Sequence, residues 1–513
     1  MKAFITKYQR DVTGFLNGWD RLRMRGTLRA ITFVGGMMKY LWHAGVLLKD
    51  FGTFVEQASQ QVKDACEQTA HRLNRPIIYL PSSHTSKEEV ASDIARHDRI
   101  KDGLIALLTC VEPCTSYDIL RDRQAKKLLL RPRFRKCLHI YHYWMDPDFG
   151  LMSASVQTWF PFAMHVCLNG HSWLARQMDK LGMPYRRRDN CFVWLKDLPA
   201  AQAVMDRLLD LNWPAFLNHI AAQANPALTG ILDGFPAEYY WSADQTEWSS
   251  DAIFRSPSAL AAIYPALARG AITAFDCSDV YRFLGKRPTC STKTEVTSHY
   301  GHRVEGIRVK HSVGRNSVKM YDKQSSVLRV EATIHSPHDM RVYRHAEGDP
   351  QGPMEWHTMR KSVVDLHRRA EVSQRCNERY YEALAAFDTS TPLRELIAPI
   401  CRPANLGNRR LRGLRPWAEE DLSLLRIVNR GEFVINGFRN RDLAAELYPK
   451  STGPEARRAS ARVSHRLMLL RAHNLIKKVP RTHRYQLTAA GRTIITAILQ
   501  AQYLPLNQLL GAA

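Results

Sequence analysis

The chain has 513 residues, of which 45% are hydrophobic and 24% are charged, a composition typical of a globular protein with about two to four domains. The formal net charge of +24 favours a polyanionic partner; nucleic acid is the first choice and an anionic membrane surface is the competing one. The sequence has no secretory signal layout, and its apolar stretch 33–48 is too short and too polar to cross a bilayer, so we expect a cytoplasmic, nucleoid-associated protein of bacterial type without a membrane partner.

Ten cysteines are scattered along the chain, and no two of them form a C-x-x-C pair. Scattered cysteines of this kind indicate reduced thiols and no structural zinc. A zinc site that uses Cys110, Cys114 and a distant histidine is the open alternative.

Hydrophobic spacing changes several times along the chain. Helical spacing over 1–75 predicts a helical N-terminal region, and short apolar runs between turn residues predict strands from 103 to 198. Further strands are expected near 237–248 and 300–335, followed by a long charged helix at 355–387. The central part of the chain is therefore expected to be a mixed α/β core built on a β-sheet.

Basic and aromatic residues are interleaved between 126 and 195. Cations bind phosphates and aromatic rings stack on bases, so this combination is typical of proteins that hold single strands. An aromatic β core with a solvated basic edge is the alternative. The candidate single-strand contacts are Arg133, Arg135, Lys136, Tyr143 and Trp159.

A tyrosine lies at the end of a predicted strand that runs from 306 to 323. Tyr321 is followed by a short turn and a second strand, 327–334, on which alternation places Arg329 and Glu331 on one face. Lys319 and Lys323 share the face of Tyr321, where they would lower its pKa or hold a phosphate. Polar side chains on one face beside a tyrosine predict a site for phosphoryl chemistry, and an ordinary strand end with an Arg329–Glu331 ion pair is the alternative.

Acidic residues occur upstream on another predicted strand. Glu247 lies on this strand and Asp251 follows it. Together with Glu331 they supply the hard oxygen ligands that Mg²⁺ or Mn²⁺ requires. The expected metal ligands are therefore Glu247, Asp251 and Glu331.

The order of these motifs over 238–335 resembles that of plasmid rolling-circle replication initiators of the staphylococcal type. In both, an acidic strand precedes a Tyr-Asp-Lys motif (321–323 here) and an Arg-x-Glu strand (329–331 here). The resemblance implies a metal-dependent endonuclease of a mobile genetic element, in which the tyrosine attacks one DNA strand and stays linked to its 5′ phosphate. It assigns the nucleophile to Tyr321, the metal ligands to Glu331 and to Glu247 or Asp251, and a place in the catalytic set to Arg329.

Three helices, a basic β-ribbon and a final helix are predicted from 419 to the end of the chain, which is the order of a winged helix. In the third helix Val463, Leu467 and Leu470 form an apolar stripe, and the basic residues point elsewhere. Residues 401–513 hold 20 lysines and arginines against 7 acidic residues. The candidate DNA contacts are Arg457, Arg458, Arg462, Ser464, His465, Lys477, Lys478, Arg481 and Arg484.

This segment, 415–500, is similar to the winged-helix domains of bacterial regulators, which implies duplex DNA as its partner. Some winged helices bind RNA or a protein surface instead. The fold class expected is α+β, with a mixed α/β central core, a helical N-terminal region and a C-terminal winged helix. Five segments are expected: a helical N-terminal region (1–85), an α/β basic-aromatic domain (86–235), a β-rich catalytic core with the long helix (236–390), a basic linker (391–416) and the winged helix (417–513).

The sequence thus predicts a DNA-binding protein that nicks a strand with the help of Mg²⁺ or Mn²⁺. A non-enzymatic winged-helix regulator and an RNA-binding protein are the alternatives. The recognition sequence and the oligomeric state stay open.

Overall fold

The computed structural model describes residues 1–273, 275, 277–286, 296–304, 306–338, 340–346, 348–349, 351–386, 393–430, 433, 437–449, 451, 453–480 and 482–502. They form both helices and a large mixed sheet, so the fold class is α+β as expected. The chain divides into two compact units. Unit 1 comprises Met1–Leu16, Ser249–Thr333 and Glu371–Ala513, and unit 2 comprises Asn17–Trp248 and Ile334–Ala370.

The α-helices are, in chain order, α1 Lys2–Lys7, α2 Val34–His43, α3 Phe51–Arg72, α4 Lys87–His97, α5 Gly170–Lys180, α6 Leu198–Asp206, α7 Trp213–Ala224, α8 Leu228–Leu232, α9 Pro257–Thr273, α10 Cys277–Phe283, α11 Leu366–Ala386, α12 Leu393–Cys401, α13 Glu419–Val428, α14 Asn440–Leu447, α15 Gly453–Ala472 and α16 Ala489–Ala501. Every helix among the described residues is either too short or too polar to span a bilayer.

The strands are β1 Val12–Leu28, β2 Ile77–Tyr79, β3 Gly103–Asp122, β4 Lys127–Asp146, β5 Gly150–Gln157, β6 Met164–Asn169, β7 Tyr185–Arg188, β8 Cys191–Leu195, β9 Tyr239–Phe254, β10 Val296–Arg303, β11 Gly306–Val313, β12 Asn316–Lys323, β13 Val327–Ile334, β14 Arg341–Arg344, β15 Glu355–Thr358, β16 Ala404–Leu406, β17 Arg409–Leu411, β18 Ile476–Lys478 and β19 Tyr485–Leu487.

Unit 2 is built on a sheet with the order β9-β1-β6-β5-β4-β3-β2. The neighbours from β1 to β3 are antiparallel, and β2 joins the edge in parallel with β3. Strands β3 and β4 are 20 residues each and form a long ribbon whose turn lies at 123–126. Beside this ribbon, α4 packs two buried alanines against Ile105 and Leu108 in a small apolar cluster.

The first 75 residues are not all helical as expected, because Val12–Leu28 is the strand β1. From residue 20 to 24 its side chains alternate: Leu22 and Met24 are buried, whereas Arg21 and Arg23 are exposed. Alternation with a period of two is the mark of a strand with one covered face. The helical prediction failed here because the apolar residues of this segment also fit a helical spacing.

Unit 1 contains a sheet with the order β10-β11-β12-β13-β9, in which the neighbours from β10 to β13 are antiparallel. The expected single strand 306–323 is a hairpin, β11–β12, because the chain turns at Gly314, whose φ of 58° suits a residue without a Cβ. All eight residues of β13 are buried. Helix α11 covers this part of the sheet, and its Tyr381 hydroxyl donates to the Leu328 carbonyl at 2.6 Å.

The C-terminal part of unit 1 has its own core. Helices α12 to α16 and the hairpins β16–β17 and β18–β19 contribute to one cluster of buried apolar side chains. The structure corrects the expectation of a linker at 391–416: within it, Ile400, Leu411 and Leu414 are buried in this cluster. These three apolar residues outweigh the Pro, Gly and Arg content that suggested a linker.

Candidate functional site

Tyr321, Glu331 and Lys319 form a hydrogen-bonded cluster in unit 1. Strands β12 and β13 pair so that Lys319 lies opposite Glu331 and Tyr321 opposite Arg329, which places all four side chains on one face. The Tyr321 hydroxyl donates to Glu331 Oε2 at 2.7 Å, and Lys319 Nζ lies 2.6 Å from Oε1 of the same carboxylate. The structure therefore brings together two residues that the sequence proposed for catalysis, Tyr321 and Lys319, and one that it proposed as a metal ligand, Glu331.

This arrangement suits removal of a proton from the phenol. A free phenol has a pKa near 10, so a tyrosine nucleophile needs a base or a nearby positive charge at neutral pH. Glu331 is fully buried, and its carboxylate accepts a hydrogen bond from the Tyr321 hydroxyl. The ammonium group of Lys319 balances the charge of this carboxylate. Lys323 adds a second cation, with Nζ 6.0 Å from the centre of the Tyr321 ring.

Asp322, between the two functional candidates of the Tyr-Asp-Lys motif, has a structural contact. Its carboxylate accepts a hydrogen bond from the Ile307 backbone N–H at 2.6 Å and so holds β11 to β12. Burial raises the pKa of Asp322 above its usual value, against the lowering effect of this hydrogen bond.

Asp251 is not free to ligate a metal in the way that the sequence suggested. Both of its oxygens accept hydrogen bonds from Arg329, with Nε and one terminal nitrogen each at 2.7 Å, and both side chains are fully buried. The prediction was wrong because β9 does not end before Asp251: it continues to Phe254 and carries Asp251 beside β13. Arg329 was expected to belong to the catalytic set, but in the structure its positive charge balances the buried negative charge of Asp251.

In unit 2, Glu247 has a carboxylate neighbour that sequence reasoning missed. Ligand oxygens of Asp20 and Glu247 lie within 4.8 Å of each other, and Gln245 Nε2 donates to Glu247 at 3.0 Å. Asp20 accepts hydrogen bonds from the side-chain amides of Asn169, at 3.0 Å, and Asn190. The two carboxylates could hold a divalent cation. The signal for Asp20 was its place on the covered face of β1, which the helical prediction of that segment concealed.

Helix α15 separates a buried face from a basic one, as its sequence predicts. Val463 and Leu470 are fully buried and Leu467 nearly so. The residues on the opposite side are exposed: Arg457, Arg458, Arg462, Ser464 and His465. On the hairpin, Lys477 and Lys478 are exposed and Arg484 is half-buried, while Arg481 lies outside the described residues.

The exposed face of α15 is held by contacts to α14 and to the residue that follows it. Asn440 donates to the Ser464 hydroxyl at 2.8 Å and accepts from the Ser460 hydroxyl at 2.9 Å. The Arg462 guanidinium lies 4.5 Å from the centre of the Tyr448 ring. Ser464 thus orients α15 against α14, while the arginines and His465 present their charged or polar ends to solvent.

The single-strand candidates of unit 2 have different environments along the β3–β4 ribbon. Tyr143 is only 7% exposed and packs in the apolar cluster under α4, so it cannot stack on a base, and this part of the prediction was wrong. The Arg135 guanidinium lies 3.6 Å from the centre of the Trp159 ring. Lys136 and Arg133 are exposed, and Arg133 forms an ion pair with Asp118 at 2.7 Å. Sequence reasoning missed Phe134, which is 73% exposed among these basic residues.

Comparison with known proteins returned no significant similarity. No family model matches the chain, and no curated protein and no solved structure matches it either.

The Arg329–Asp251 pair predicts a large loss of stability on breaking one side. Asp251→Asn removes the carboxylate charge to which two nitrogens of the fully buried Arg329 guanidinium donate. We therefore expect the free energy of unfolding, measured by urea denaturation, to fall by about 3–5 kcal/mol. Asp118→Asn is the matched control, because it breaks a partly exposed pair with Arg133, and it should cost less than about 1 kcal/mol. Equal losses in the two variants would contradict the assignment of Asp251 as a structural counter-ion.

Proposed function

We propose that the chain is a DNA-binding protein whose C-terminal region, 417–502, is a winged-helix domain. The observation that carries the proposal is the two-sided α15, which buries Val463, Leu467 and Leu470 and exposes three arginines and a histidine. A basic, exposed helix of this kind fits the major groove of duplex DNA. The charge of 401–513, with 20 basic and 7 acidic residues, adds the sequence-independent attraction to phosphates.

The order of elements supports the same assignment. Helices α13, α14 and α15 are followed by the hairpin β18–β19 and by α16, and an isolated bridge pairs Phe438 with Tyr485 beside the hairpin. In a winged helix the third helix enters the groove and the hairpin contacts the backbone. Lys477 and Lys478 lie on β18, where they would contact phosphates.

The duplex interface separates two kinds of contact that mutation can tell apart. A preferred duplex sequence is first selected from a random pool with the full chain. We expect Arg458→Ala or His465→Ala to cost about 1–3 kcal/mol of binding free energy on that duplex and less on a scrambled one. Lys477→Ala should weaken both duplexes alike and lower the slope of log affinity against log salt by about one. Fluorescence anisotropy titration measures each constant.

The control for this experiment is Arg426→Ala, which removes an exposed arginine of α13 that pairs with Glu419, and it should leave both affinities unchanged. Failure of the wild-type chain to bind any duplex at low salt would overturn the proposal. Structured RNA that competes better than the selected duplex would instead favour the RNA-binding alternative.

We further propose that unit 1 cleaves one DNA strand with Tyr321. The support is the contact of its hydroxyl with the buried carboxylate of Glu331, which Lys319 balances. In the reaction, the proton of Tyr321 passes to Glu331 and the phenolic oxygen forms an ester with the 5′ phosphate. The bond from phosphorus to the 3′ oxygen breaks, and this oxygen takes a proton from water and leaves as a 3′ hydroxyl. The ester retains the bond energy, so the strand can be rejoined without a nucleotide cofactor.

A divalent cation belongs to this proposal. Mg²⁺ or Mn²⁺ would polarise the phosphate and offset the charge that develops during attack. The sequence-based assignment of Glu247 and Glu331 as its ligands stays a prediction. Asp251 no longer belongs to this set, because both of its oxygens accept hydrogen bonds from Arg329.

Covalent capture tests the tyrosine chemistry. The protein is incubated with labelled single-stranded DNA and Mg²⁺ or Mn²⁺, denatured and examined for a protein–DNA adduct. Tyr321→Phe should abolish the adduct and leave duplex binding unchanged. Tyr264→Phe is the matched control, since it removes another buried hydroxyl of unit 1, which donates to the Ile307 carbonyl at 2.6 Å, and it should retain the adduct.

Two other outcomes carry a different meaning. Cleavage that survives Tyr321→Phe and is lost in Glu331→Gln would assign the nucleophile to water. No cleavage with either metal would favour a non-enzymatic DNA-binding regulator, in which the Tyr321–Glu331 contact is structural, a reading that the 7% exposure of Tyr321 supports.

The β3–β4 ribbon is the proposed surface for a single strand. Phe134 is exposed between Arg133 and Arg135, so a base can stack on its ring while the cations contact phosphates. Phe134→Ala should cost about 1–3 kcal/mol in affinity for a single-stranded oligonucleotide, measured by anisotropy. Leu129→Ala, another exposed apolar residue of β4, serves as control and should have no effect. Equal loss in both variants would contradict stacking on Phe134.

A further inference from the structure

Unit 1 contains a cavity of about 410 Å³ between α11, α16 and the N-terminal segment. This volume lies within the range of small-molecule sites. All of its lining residues belong to unit 1, and none belongs to the Tyr321 cluster or to the exposed face of α15. The lining contains two acidic residues, Glu378 and Glu382, and a larger number of basic ones. The basic residues are Lys2, Arg282, Arg375, Arg379 and Arg492.

Arg379 is the residue of this lining that most needs a partner. It is 4% exposed, and two of its nitrogens donate to one acceptor, the Phe283 carbonyl. Its remaining terminal nitrogen, NH1, has no hydrogen-bond partner within the described part of the chain. A buried donor on a charged group is costly when unpaired, so an anion in the cavity would relieve a cost that the protein already bears.

The charge of Arg379 persists at neutral pH. Burial, with a smaller contribution from Arg282, lowers the pKa of its guanidinium to about 10 against the raising effect of Cys376, Glu382 and Glu378, and this value still leaves the group protonated. The two carboxylates of the cavity have other partners: Glu378 accepts from Arg375 at 2.9 Å, and Glu382 accepts from Arg492. Neither carboxylate hydrogen-bonds Arg379 within the described residues, so the lining retains an excess of positive charge.

The walls of the cavity differ in chemistry. Ala3, Ile5, Phe15 and Ala383 are the apolar members of the lining, whereas Thr493 and Thr496 of α16 carry hydroxyl groups. An apolar wall suits a base, and arginine and threonine donors suit phosphate oxygens. We propose that this cavity binds a nucleoside diphosphate or triphosphate, with its phosphates at Arg379 and its base against the apolar wall.

The position of the cavity connects the ligand to two parts of unit 1. Arg492, Thr493 and Thr496 belong to α16 of the C-terminal core, whereas Arg375 and Arg379 belong to α11. The hydroxyl of Tyr381, two residues beyond Arg379 on α11, donates to β13 at the Leu328 carbonyl. A nucleotide that contacts both helices would tie the C-terminal core to the helix that covers β13.

Calorimetric titration of the full chain with ATP, ADP, adenosine and inorganic pyrophosphate, without DNA or metal, tests the site. We expect ATP and ADP to bind and adenosine not to bind. Arg375→Ala, at a side chain that is 58% exposed and so tolerant of change, should weaken ATP at least tenfold. Thr493→Glu, which adds a negative charge to the lining, should do the same.

Two control variants separate this site from other basic surfaces. Arg426→Ala and Arg458→Ala each remove one positive charge outside the cavity, and ATP binding should be unchanged in both. Absence of ATP binding at millimolar concentration, or equal weakening in Arg375→Ala and Arg458→Ala, would overturn the proposal. Pyrophosphate that binds as tightly as ATP would overturn the assignment of a nucleoside. Because the assay contains no DNA, its failure leaves the proposed DNA binding untouched.

Discussion

Strand β13 carries two buried charged side chains, and each must pair with a residue of a neighbouring strand. The proposed tyrosine site depends on this constraint. All eight residues of this strand are buried, and Arg329 and Glu331 would each cost several kcal/mol if left without a partner. Asp251 neutralises Arg329, and Lys319 with the Tyr321 hydroxyl satisfies Glu331. A shift of one residue in the register of β12 or β13 would turn these side chains to the opposite face. The position of Tyr321 is therefore tied to charge balance in the sheet.

The C-terminal region obeys a different constraint, the division of α15 into an apolar and a basic face. Burial of Val463 and Leu470 in the local core determines the rotation of the helix, and this rotation exposes Arg457, Arg458 and His465. Asn440 locks the helix against α14 through Ser464 and Ser460. The exposed cations thus lie on a helix that is held by core packing and hydrogen bonds, as the proposed recognition of bases requires.

Prediction from the sequence succeeded where the local pattern matched the tertiary environment. The faces of α15 and the shared face of Tyr321, Arg329 and Glu331 follow from periodicity, because the side-chain spacing of a helix or strand is a local property. It failed for Asp251, Tyr143 and the N-terminal region. The local sequence around a carboxylate does not show whether it faces a metal or a buried arginine. In the same way, the local sequence around an aromatic residue on a strand does not show whether it faces a helix or solvent.

The sequence by itself determined the α+β class, the concentration of positive charge near the C-terminus, the amphipathic α15 and the Tyr-Asp-Lys and Arg-x-Glu strands. Only the tertiary structure decided which charges pair: that Arg329 meets Asp251, that Glu331 meets Tyr321 and Lys319, and that Asp20 lies near Glu247. It also decided that segments far apart in the chain enclose Arg379 in a cavity. The physical reason is that these contacts join strands and helices separated by tens to hundreds of residues, whose register and packing come from the burial of the whole core and leave no mark in local spacing.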